Sequence, residues 1–317
     1  MAYLNANRHG PMYLLAHLSD PHVPPLPQPG WRELASKRVL GYLSWQRRRR
    51  HIHRRDVLDR ICADLAAQNP DHIAVTGDIT NISLPAEFRQ ARRWLDGLGP
   101  PETVSLVPGN HDAYIDLSWA DGWGHWAGYM QSDKDPGSKT RSSTFPFIRK
   151  RGPLALIGLS SAVATAPGLA SGRLGPEQLA GLERLLADAR SAGLIRVVLL
   201  HHPPLAEAAS GRKGLDDRQA FAEVVARAGA ELVLHGHNHR FVNLTLPGPD
   251  PSCPVPVIGV PSASALPYRD RPAAHYNLYR FYSEGGHWYL ETRQRGLNEA
   301  GEIVEMPQHS PKSIILG

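Results

Sequence analysis

Two short histidine-containing stretches stand out in the sequence, because their residue types bind metals and move protons. Residues 109–112 read Gly-Asn-His-Asp and residues 236–239 read Gly-His-Asn-His. Imidazole and carboxylate groups bind Mn, Fe, Zn or Ni well, and imidazole also exchanges a proton near neutral pH. Each stretch is expected by chance on the order of once in several hundred such chains, so their joint occurrence indicates a functional site.

Five polar stretches of this kind come directly after short apolar runs. They are residues 20–22 (Asp-Pro-His), 77–78 (Gly-Asp), 109–112, 201–204 (His-His-Pro-Pro) and 236–239. The runs are rich in leucine and β-branched residues on both faces, which predicts buried strands. Because the carboxyl ends of strands in an open α/β sheet border one crevice, we expect the five stretches to meet there.

Taken one at a time, most of these stretches have an ordinary explanation. An Asp-x-His such as Asp20 and His22 is expected about once by chance in a chain this rich in histidine. Gly77-Asp78 has the composition of a common turn, and His201 and His202 could be one buried and one exposed ring. The ordered occurrence of all five favours a shared metal site over these explanations.

Seven apolar runs and four helical stripes supply the elements that position these residues. Strands are predicted at residues 13–18, 72–77, 103–107, 154–159, 195–200, 231–236 and 255–260. Helices are predicted at four places where apolar residues recur at helical spacing. The four sets are Val57, Ile61 and Leu65; Phe88, Ala91, Leu95 and Leu98; Leu179, Leu182 and Leu186; and Phe221, Val224, Val225 and Ala228. This alternation predicts a layered α/β fold with substantial parallel pairing.

One domain spanning residues 1–317 is the simpler prediction, because no long linker or internal repeat divides the chain. Three regions interrupt the alternation. They are a proline-rich and then basic insert at about 23–55, a variable loop region rich in Trp, Gly and Ser at about 117–151, and paired strands from Ala274 around Gly285-Gly286. The insert is expected to add one or two helices.

The composition is that of a globular protein. Of the 317 residues 42% are hydrophobic and 21% charged, and no apolar stretch approaches the roughly 18 residues of a membrane-spanning helix. The amino-terminal residues lack the pattern of a signal peptide. Cys62 and Cys253 suggest neither a disulfide framework nor a thiolate metal site. These features predict a cytoplasmic protein.

The five stretches occur in the order found in calcineurin-like metallophosphoesterases, and the chain resembles that superfamily. The resemblance implies a four-layer α/β/β/α sandwich with a dinuclear metal site at the strand ends. It implies two divalent or trivalent ions, Mn, Fe or Zn. One ion is then expected at Asp20, His22, Asp78 and His239, and the other at Asp78, Asn110, His201 and His237. His201 is preferred to His202 because in that superfamily one residue separates the ligand from a proline.

The chemistry of such a site follows from charge. A carboxylate suits the position between two metal ions about 3.5–4 Å apart, and Asp78, alone after its strand, is the expected bridge. A water shared by the ions loses a proton near neutral pH and attacks phosphorus as a bridging hydroxide. His111 and Asp112 are the expected catalytic residues, His111 protonating the departing oxygen or stabilising it as imidazolium and Asp112 holding the tautomer of His111.

The implied substrates are phosphodiesters. Residues 201–204 (HHPP), 236–240 (GHNHR) and 260–265 (VPSASA) most resemble bacterial class III cyclic nucleotide phosphodiesterases. The resemblance implies a metal-dependent phosphodiesterase that hydrolyses cyclic nucleotides or similar small diesters. A non-catalytic interaction module on the same fold is the contrasting hypothesis, which the presence of every expected ligand disfavours.

The basic segment at residues 37–55 raises the question of an anionic partner, because it contains no acidic residue in a chain of net charge +5. One interpretation is a solvated basic helix face. The other is an amphipathic lid in which Leu40, Leu43 and Trp45 meet lipid. The lid favours a membrane-associated pyrophosphatase or phospholipid phosphodiesterase with a lipid-linked, UDP-diacylglucosamine-type substrate, peripheral to the inner membrane face. Nucleic acid is disfavoured because no other basic stripe accompanies the segment, and a homodimer is left open.

Overall fold

The computed structural model describes residues 12–133, 145–209, 211–307 and 314–316, whose strands form two mixed β-sheets. The first sheet contains β1 (Met12–Leu18), β2 (His72–Val75), β3 (Val104–Leu106), β10 (His275–Glu284), β11 (His287–Leu297), β12 (Ile303–Glu305) and β13 (Ile314–Leu316). The second contains β4 (Phe147–Arg151), β5 (Leu154–Gly158), β6 (Ile195–Leu199), β7 (Leu232–His235), β8 (Val242–Leu246) and β9 (Val255–Gly259). The orders are β12-β11-β10-β1-β2-β3, with β13 paired to β11, and β4-β5-β6-β7-β9-β8.

Parallel pairing joins the strands that end in the polar stretches. In the first sheet β1, β2 and β3 are parallel neighbours, and in the second sheet β5, β6, β7 and β9 are. The seven predicted strands and their parallel pairing are therefore confirmed. The remaining strand pairs run antiparallel, including the hairpin of β10 and β11, where Glu284 pairs with His287. Gly285 and Gly286 in that hairpin both have positive φ, which the tight turn requires.

Helices either pack on the two sheets or lie in the insert at 23–55. They are α1 (Trp31–Leu34), α2 (Arg38–Ser44), α3 (Arg50–Ile52), α4 (Arg55–Ala67), α5 (Pro85–Leu98), α6 (Pro176–Ser191) and α7 (Arg218–Ala228), with a π-helical turn at Trp45–Arg49 and a 3₁₀ segment at Trp123–Tyr129. All four predicted helices are confirmed, as α4 to α7. Both α4 and α5 contribute to the core cluster of the first sheet, while α6 and α7 pack on the second.

The core follows from the alternation of side chains along the strands. Val197 and Leu199 of β6 join the same buried cluster as Leu15 of β1, between the sheets. Val198, between them in sequence, packs in the separate cluster formed with α6 and α7. Each central strand thus buries one face against the other sheet and one against helices, which is why both faces are apolar. The fold is the four-layer α/β/β/α sandwich.

Two strands lie where none was predicted. Strand β4 falls inside the region assigned to a loop at 117–151, and its sequence Phe-Ile-Arg-Lys-Arg is too basic for a buried run. It forms the edge of its sheet, where one neighbour and a solvated face suffice. Strand β8 is the opposite edge and alternates between buried and exposed positions. Residues 134–144 of the predicted loop region lie outside the described residues.

The insert at 23–55 contains α1 and one uninterrupted helical stretch at 38–52, formed by α2, the π-helical turn and α3. Arg38 fixes α2 to the rest of the fold, with its guanidinium donating to the backbone carbonyls of Ile82 and Ser83. Among the described residues, no helix is both long and apolar enough to cross a membrane.

Two fully buried histidines outside the polar stretches are expected to make the fold sensitive to acid. His17 Nε2 lies 2.8 Å from Thr76 Oγ1, and His72 Nε2 lies 2.8 Å from Ser105 Oγ. Burial, aided by nearby positive charge, lowers the pKa of each to about 3, against 6.5 in an unfolded chain. The unfolded state therefore binds more protons between these values, and stability present at pH 7 is lost as pH falls from 6.5 towards 3.

Urea unfolding at pH 7.5 and pH 5.0 measures this effect. We expect each histidine to contribute a loss of roughly 1 kcal/mol per pH unit below about pH 6.5. A His72→Gln variant keeps a hydrogen-bonding side chain but cannot titrate, so its free energy of unfolding should depend less steeply on pH. An identical pH dependence in both proteins would contradict this account.

Candidate metal centre

The predicted metal ligands all lie at the carboxyl ends of parallel strands. Asp20 and His22 follow β1, Asp78 follows β2, Asn110 follows β3, His201 follows β6, and His237 and His239 follow β7. Both sheets therefore contribute, and the structure brings all seven side chains together. Apart from His237, which is partly buried, they are buried.

Asp20, His22 and His239 form the first group. Asp20 Oδ1 lies 3.1 Å from His239 Nε2, and the Nε2 atoms of His22 and His239 lie 3.4 Å apart. His22 Nδ1 lies 3.0 Å from the carbonyl oxygen of Thr80, which can only accept, so Nδ1 carries the proton. The lone pair of His22 is then on Nε2, inside the group, which is the arrangement of a metal-binding imidazole.

Asn110, His201 and His237 form the second group. Asn110 Oδ1 lies 2.8 Å from His237 Nδ1 and 3.2 Å from His201 Nε2, and these two nitrogens are 3.3 Å apart. His201 Nδ1 is fixed by the carbonyl oxygen of Thr76 at 2.6 Å. The ring of His202 instead places Nδ1 2.8 Å from Ser161 Oγ. A ring nitrogen of His202 also lies within 4.8 Å of those of His201 and His237. His201 stays the predicted ligand because its Nε2 also lies 3.4 Å from Asp78 Oδ2.

Asp78 lies between the two groups. Its Oδ2 is 3.4 Å from His201 Nε2 in the second group and 3.9 Å from His22 Nε2 in the first. Its Oδ1 accepts a hydrogen bond of 2.7 Å from the backbone N–H of His111, which holds the carboxylate in place. One carboxylate thus faces both sets of ligands, as a bridge between two cations requires.

The donor set fits two metal ions. Asp20 Oδ1 is buried and, among the described residues, has no donor in hydrogen-bonding geometry, so a cation would satisfy it. Burial raises the pKa of Asp20 and of Asp78, but the facing histidines together outweigh it and hold both values below their usual range. Burial also lowers the pKa of His201, yet Asp78 and Asp20 raise it to about 9. A proton on His201 thus balances charge that metal ions would balance on binding.

The backbone at the ligands is strained. Asp20, His22, Asp78, His237 and His239 have φ values of 50°, 37°, 53°, 71° and 52°, in the left-handed region that non-glycine residues seldom adopt. Such conformations persist only where surrounding contacts hold them, and they cluster at functional sites. Here the contacts include the N–H of His237 donating to Asp20 Oδ2 at 2.9 Å. Nothing in sequence periodicity reports this strain.

Gly109 is expected to be indispensable to the centre. A Cβ added at this position would overlap the side-chain carboxylate and backbone nitrogen of Asp78. We expect Gly109→Ala to displace Asp78, to destabilise the protein by about 1–3 kcal/mol and to reduce bound metal to less than two ions per chain. Metal analysis and thermal unfolding measure both effects.

Gly97→Ala is the matched control for this substitution. Gly97 lies in α5 with nothing within 4 Å of an added Cβ. It should bind metal like the unmodified protein and be slightly more stable, because alanine favours the helix. Full metal binding by Gly109→Ala would show that Asp78 does not need its observed position.

His111 borders the centre, with its ring 4.9 Å from that of His22. Its Nδ1 lies 2.6 Å from the carbonyl oxygen of Asn81, so Nδ1 carries the proton and Nε2 is left to exchange one. Burial lowers the pKa of His111 to about 4, with Arg49 acting in the same direction and Asp78 opposing it. In the metal-free protein His111 is therefore neutral.

Asp112 has different partners from those predicted. Its carboxylate accepts from the backbone N–H groups of Thr80 at 2.8 Å and Gly109 at 2.9 Å, and from Thr80 Oγ1 at 3.0 Å. Asn81, not Asp112, fixes the tautomer of His111. Asp112 instead ties the loop after β3 to the loop after β2, because its carboxylate is taken up by Thr80 and Gly109. Burial, with Asp78, raises the pKa of Asp112 to about 7.

Two side chains of the basic insert reach the centre, and the sequence analysis named neither. Arg49 Nη1 lies 3.0 Å from His111 Nδ1 and donates to the same carbonyl oxygen of Asn81, at 3.3 Å, whereas Arg47, Arg48 and Arg50 are exposed. His53 is buried, with its ring 4.5 Å from that of His22. Residues 47–50 are all arginine, so the sequence does not indicate which of the four reaches the centre. The histidine pair at 51 and 53 was the available signal for His53.

An open cleft of about 1070 Å³ leads to these groups. Its walls are formed by residues of the candidate metal centre and by residues of the insert. His22, Asp78 and His111 line it, and so do Leu40, Arg48 and Arg49. Lys213, Arg240 and Arg271 lie on its other walls. Glu207 and Asp270 also line the cleft, and Asp270 pairs with Arg240. The positive charges of Lys213, Arg271 and the insert still outnumber the acidic groups of the walls outside the ligand set and favour an anionic occupant.

The structure is an α/β sandwich whose His and Asp clusters fit a metal centre. Residues 13–241 match the family described as calcineurin-like phosphoesterase, and the chain belongs to that family. The resemblance inferred from the five polar stretches is thereby confirmed.

Curated relatives are phosphodiesterases by name. The chain is 28% identical over 183 residues to a probable cyclic nucleotide phosphodiesterase of Synechococcus sp., covering 57% of this chain and 62% of that protein. It is 27% identical over 244 residues to the glycerophosphodiester phosphodiesterase GpdQ of Enterobacter lignolyticus, covering 74% of this chain and 72% of the relative. The match thus spans less than two thirds of the first relative's length.

Solved structures share the fold at low identity. A dimetal phosphatase from Danio rerio has a TM-score of 0.60 at 13% identity, covering 93% of this chain and 99% of that one. The purple acid phosphatase PPD1 of yellow lupin (Lupinus luteus) seeds has a TM-score of 0.57 at 12% identity, covering 93% of this chain and 53% of that one. These likenesses support the architecture alone.

Proposed function

We propose that the protein is a dinuclear-metal phosphodiesterase. The observation that carries the proposal is the position of Asp78, whose Oδ2 faces His201 of one ligand group and His22 of the other. The first ion would be held by Asp20, His22, Asp78 and His239, and the second by Asp78, Asn110, His201 and His237. Nitrogen and oxygen donors without thiolate suit Mn, Fe or Zn.

The chain's own residues have distinct tasks in this proposal. When bound, the two ions supply an activated water and balance the charge of the phosphate. Asn110 contributes a neutral oxygen, which adds no repulsion towards an anionic substrate. His111 keeps its Nδ1 proton on Asn81 and moves a proton at Nε2. With a proton at Nε2, the ring can donate to the leaving oxygen.

The substrate class in this proposal is a small phosphodiester, with cyclic nucleotides first. Both curated relatives are named as diesterases, one for cyclic nucleotides and one for glycerophosphodiesters. The basic side chains of the cleft, among them Arg48, Lys213 and Arg271, suit an anionic substrate.

Metal analysis and a substrate screen test the proposal. Protein purified without chelator should contain transition metal, and added Mn²⁺ should support hydrolysis of bis(p-nitrophenyl) phosphate. Cyclic nucleotides and glycerophosphodiesters, compared at equal concentration, then rank the substrates, with p-nitrophenyl phosphate as the monoester control. Absence of both metal and diester hydrolysis would end the proposal, while a preference for the monoester would overturn its substrate class.

A lipid-linked substrate is the second candidate, and one observation favours it. Val39, Leu40 and Leu43 on α2 are exposed by 39%, 52% and 44%, and Leu40 also lines the cleft. Exposed Arg47 and Arg50 follow on the same segment, so an apolar strip and a basic strip adjoin the site. Co-sedimentation with anionic vesicles should fall in Leu40→Ser/Leu43→Ser and in Arg47→Ser/Arg50→Ser. Unchanged sedimentation in both variants would count against this candidate.

A further inference from the structure

His53 sits at the point where the basic insert joins the site. Its backbone is held on both sides: Arg54 N–H donates to the carbonyl of Ser264 at 2.9 Å, and Leu266 N–H donates to that of Ile52 at 2.9 Å. His53 itself pairs with Ala265 in an isolated antiparallel bridge. Backbone hydrogen bonds therefore fix the position of His53 as they would in a strand. The residue is only 5% exposed.

The ring of His53 is also held. Nδ1 lies 2.8 Å from Ser264 Oγ and 3.4 Å from Ser262 Oγ. Ser262 in turn donates to the backbone oxygen of Asp20 at 2.7 Å. The serine pair thus connects the ring of His53 to the loop that carries a metal ligand. Occupation of Nδ1 leaves Nε2 as the nitrogen available to a ligand, the usual arrangement of a metal-binding histidine with a supporting hydrogen bond.

The first ligand group includes His53 by distance. His22, His53 and His239 each offer a ring nitrogen, and these nitrogens lie within 4.8 Å of one another. The ring centroid of His53 is 4.5 Å from that of His22 and 5.6 Å from that of His239. Two nitrogens bound to one ion at about 2.0–2.1 Å lie at most about 4.2 Å apart, so shifts of a few tenths of an ångström complete the set.

We infer that His53 is an additional ligand of the first metal ion, alongside Asp20, His22, Asp78 and His239. This inference rests on the dinuclear centre of the proposed function. A neutral imidazole adds a strong donor without adding charge. The first ion would then have five protein donors and the second four, Asp78, Asn110, His201 and His237, so the second would leave more room for an anionic ligand. His53 also makes the first ion depend on the insert.

Metal affinity of His53 variants tests the inference without reference to turnover. Metal-free protein would be titrated with Zn²⁺ or Mn²⁺ against a competing chelator and by calorimetry, and the Co²⁺-loaded forms compared by their visible absorption. The unmodified protein should bind two ions. His53→Ala and His53→Gln should keep one ion at unchanged affinity, bind the other at least about 10-fold more weakly, and shift the Co²⁺ spectrum.

His51→Ala is the matched control. His51 lies two residues earlier and is exposed, and its Nε2 accepts a hydrogen bond from Arg50. It should bind both ions like the unmodified protein. Circular dichroism of the metal-free variants checks folding. If His53→Ala does not fold, Ser264→Ala keeps the imidazole but removes its support, and should weaken one ion by a smaller factor.

Two results would overturn the inference, and they differ in meaning. Two ions bound by the folded His53 variants with unchanged affinity and spectrum would show that His53 is not a ligand, even if hydrolysis falls, and would leave the proposed function intact. Failure of the unmodified protein to bind two ions would remove the proposed dinuclear centre and the inference with it.

Discussion

Replacement of Asp78 by Asn is expected to abolish hydrolysis and to reduce bound metal below two ions per chain. The carboxylate faces both ligand sets, with Oδ2 3.4 Å from His201 Nε2 and 3.9 Å from His22 Nε2. An amide keeps the shape but loses the negative charge and one of the two oxygens. We expect kcat/KM for a diester to fall roughly 1000-fold or more, which corresponds to about 4 kcal/mol of lost transition-state stabilisation.

Metal content by mass spectrometry and steady-state kinetics with added Mn²⁺ measure the two effects in the same samples. Asp59→Asn is the control, since Asp59 is an exposed residue of α4 whose partner is Arg55 four residues earlier. It should match the unmodified protein in both measurements. Two ions and near-normal turnover in Asp78→Asn would show that the bridge is elsewhere.

His111→Ala is expected to lower kcat by roughly 100- to 10,000-fold while both ions remain bound. The contact that His111 makes with Asp78 uses its backbone N–H, at 2.7 Å, which alanine retains. The side chain contributes Nε2, and its loss removes the proton for the departing oxygen. Metal binding and proton transfer are thus separable at this residue.

The leaving group distinguishes this role from a general disturbance. A p-nitrophenolate departs readily without a proton, whereas the alkoxide released from a cyclic nucleotide or a glycerophosphodiester does not. His111→Ala should therefore lose much more activity towards the alkyl diesters than towards bis(p-nitrophenyl) phosphate. Equal losses on both substrates, or loss of the metal ions, would contradict the assigned proton transfer.

The sequence predicted most of the framework because the framework depends on local patterns. Buried parallel strands have apolar residues on both faces, as in β6, and helices such as α4 and α5 carry apolar stripes. Each pattern involves only a few neighbouring residues, so it can be recognised without knowing how the elements pack together. The edge strands β4 and β8 were missed because their exposed faces carry polar residues, which weakens the same pattern.

The candidate ligands could be predicted for a different reason. They are histidines, aspartates and an asparagine at the carboxyl ends of predicted parallel strands. Because such strand ends lie at one edge of a sheet, these residues are expected to lie close together in the fold. His53 and Arg49 could not be predicted in this way, because their positions depend on contacts with residues distant in sequence, Ser264 and His111. The partners of Asp112 depend likewise on how the loop after β3 meets the loop after β2.

The ligand groups join the two sheets at their strand ends, and this has a consequence for stability. Asp20 and His239 lie 3.1 Å apart in space but belong to different sheets, so an unfolded chain cannot present them together. The free energy of metal binding is then coupled to docking of one sheet on the other. A substitution deep between the sheets, far from any ligand, should therefore register first as a weakened affinity for metal, and metal titration becomes a measure of how well the two halves of the molecule fit.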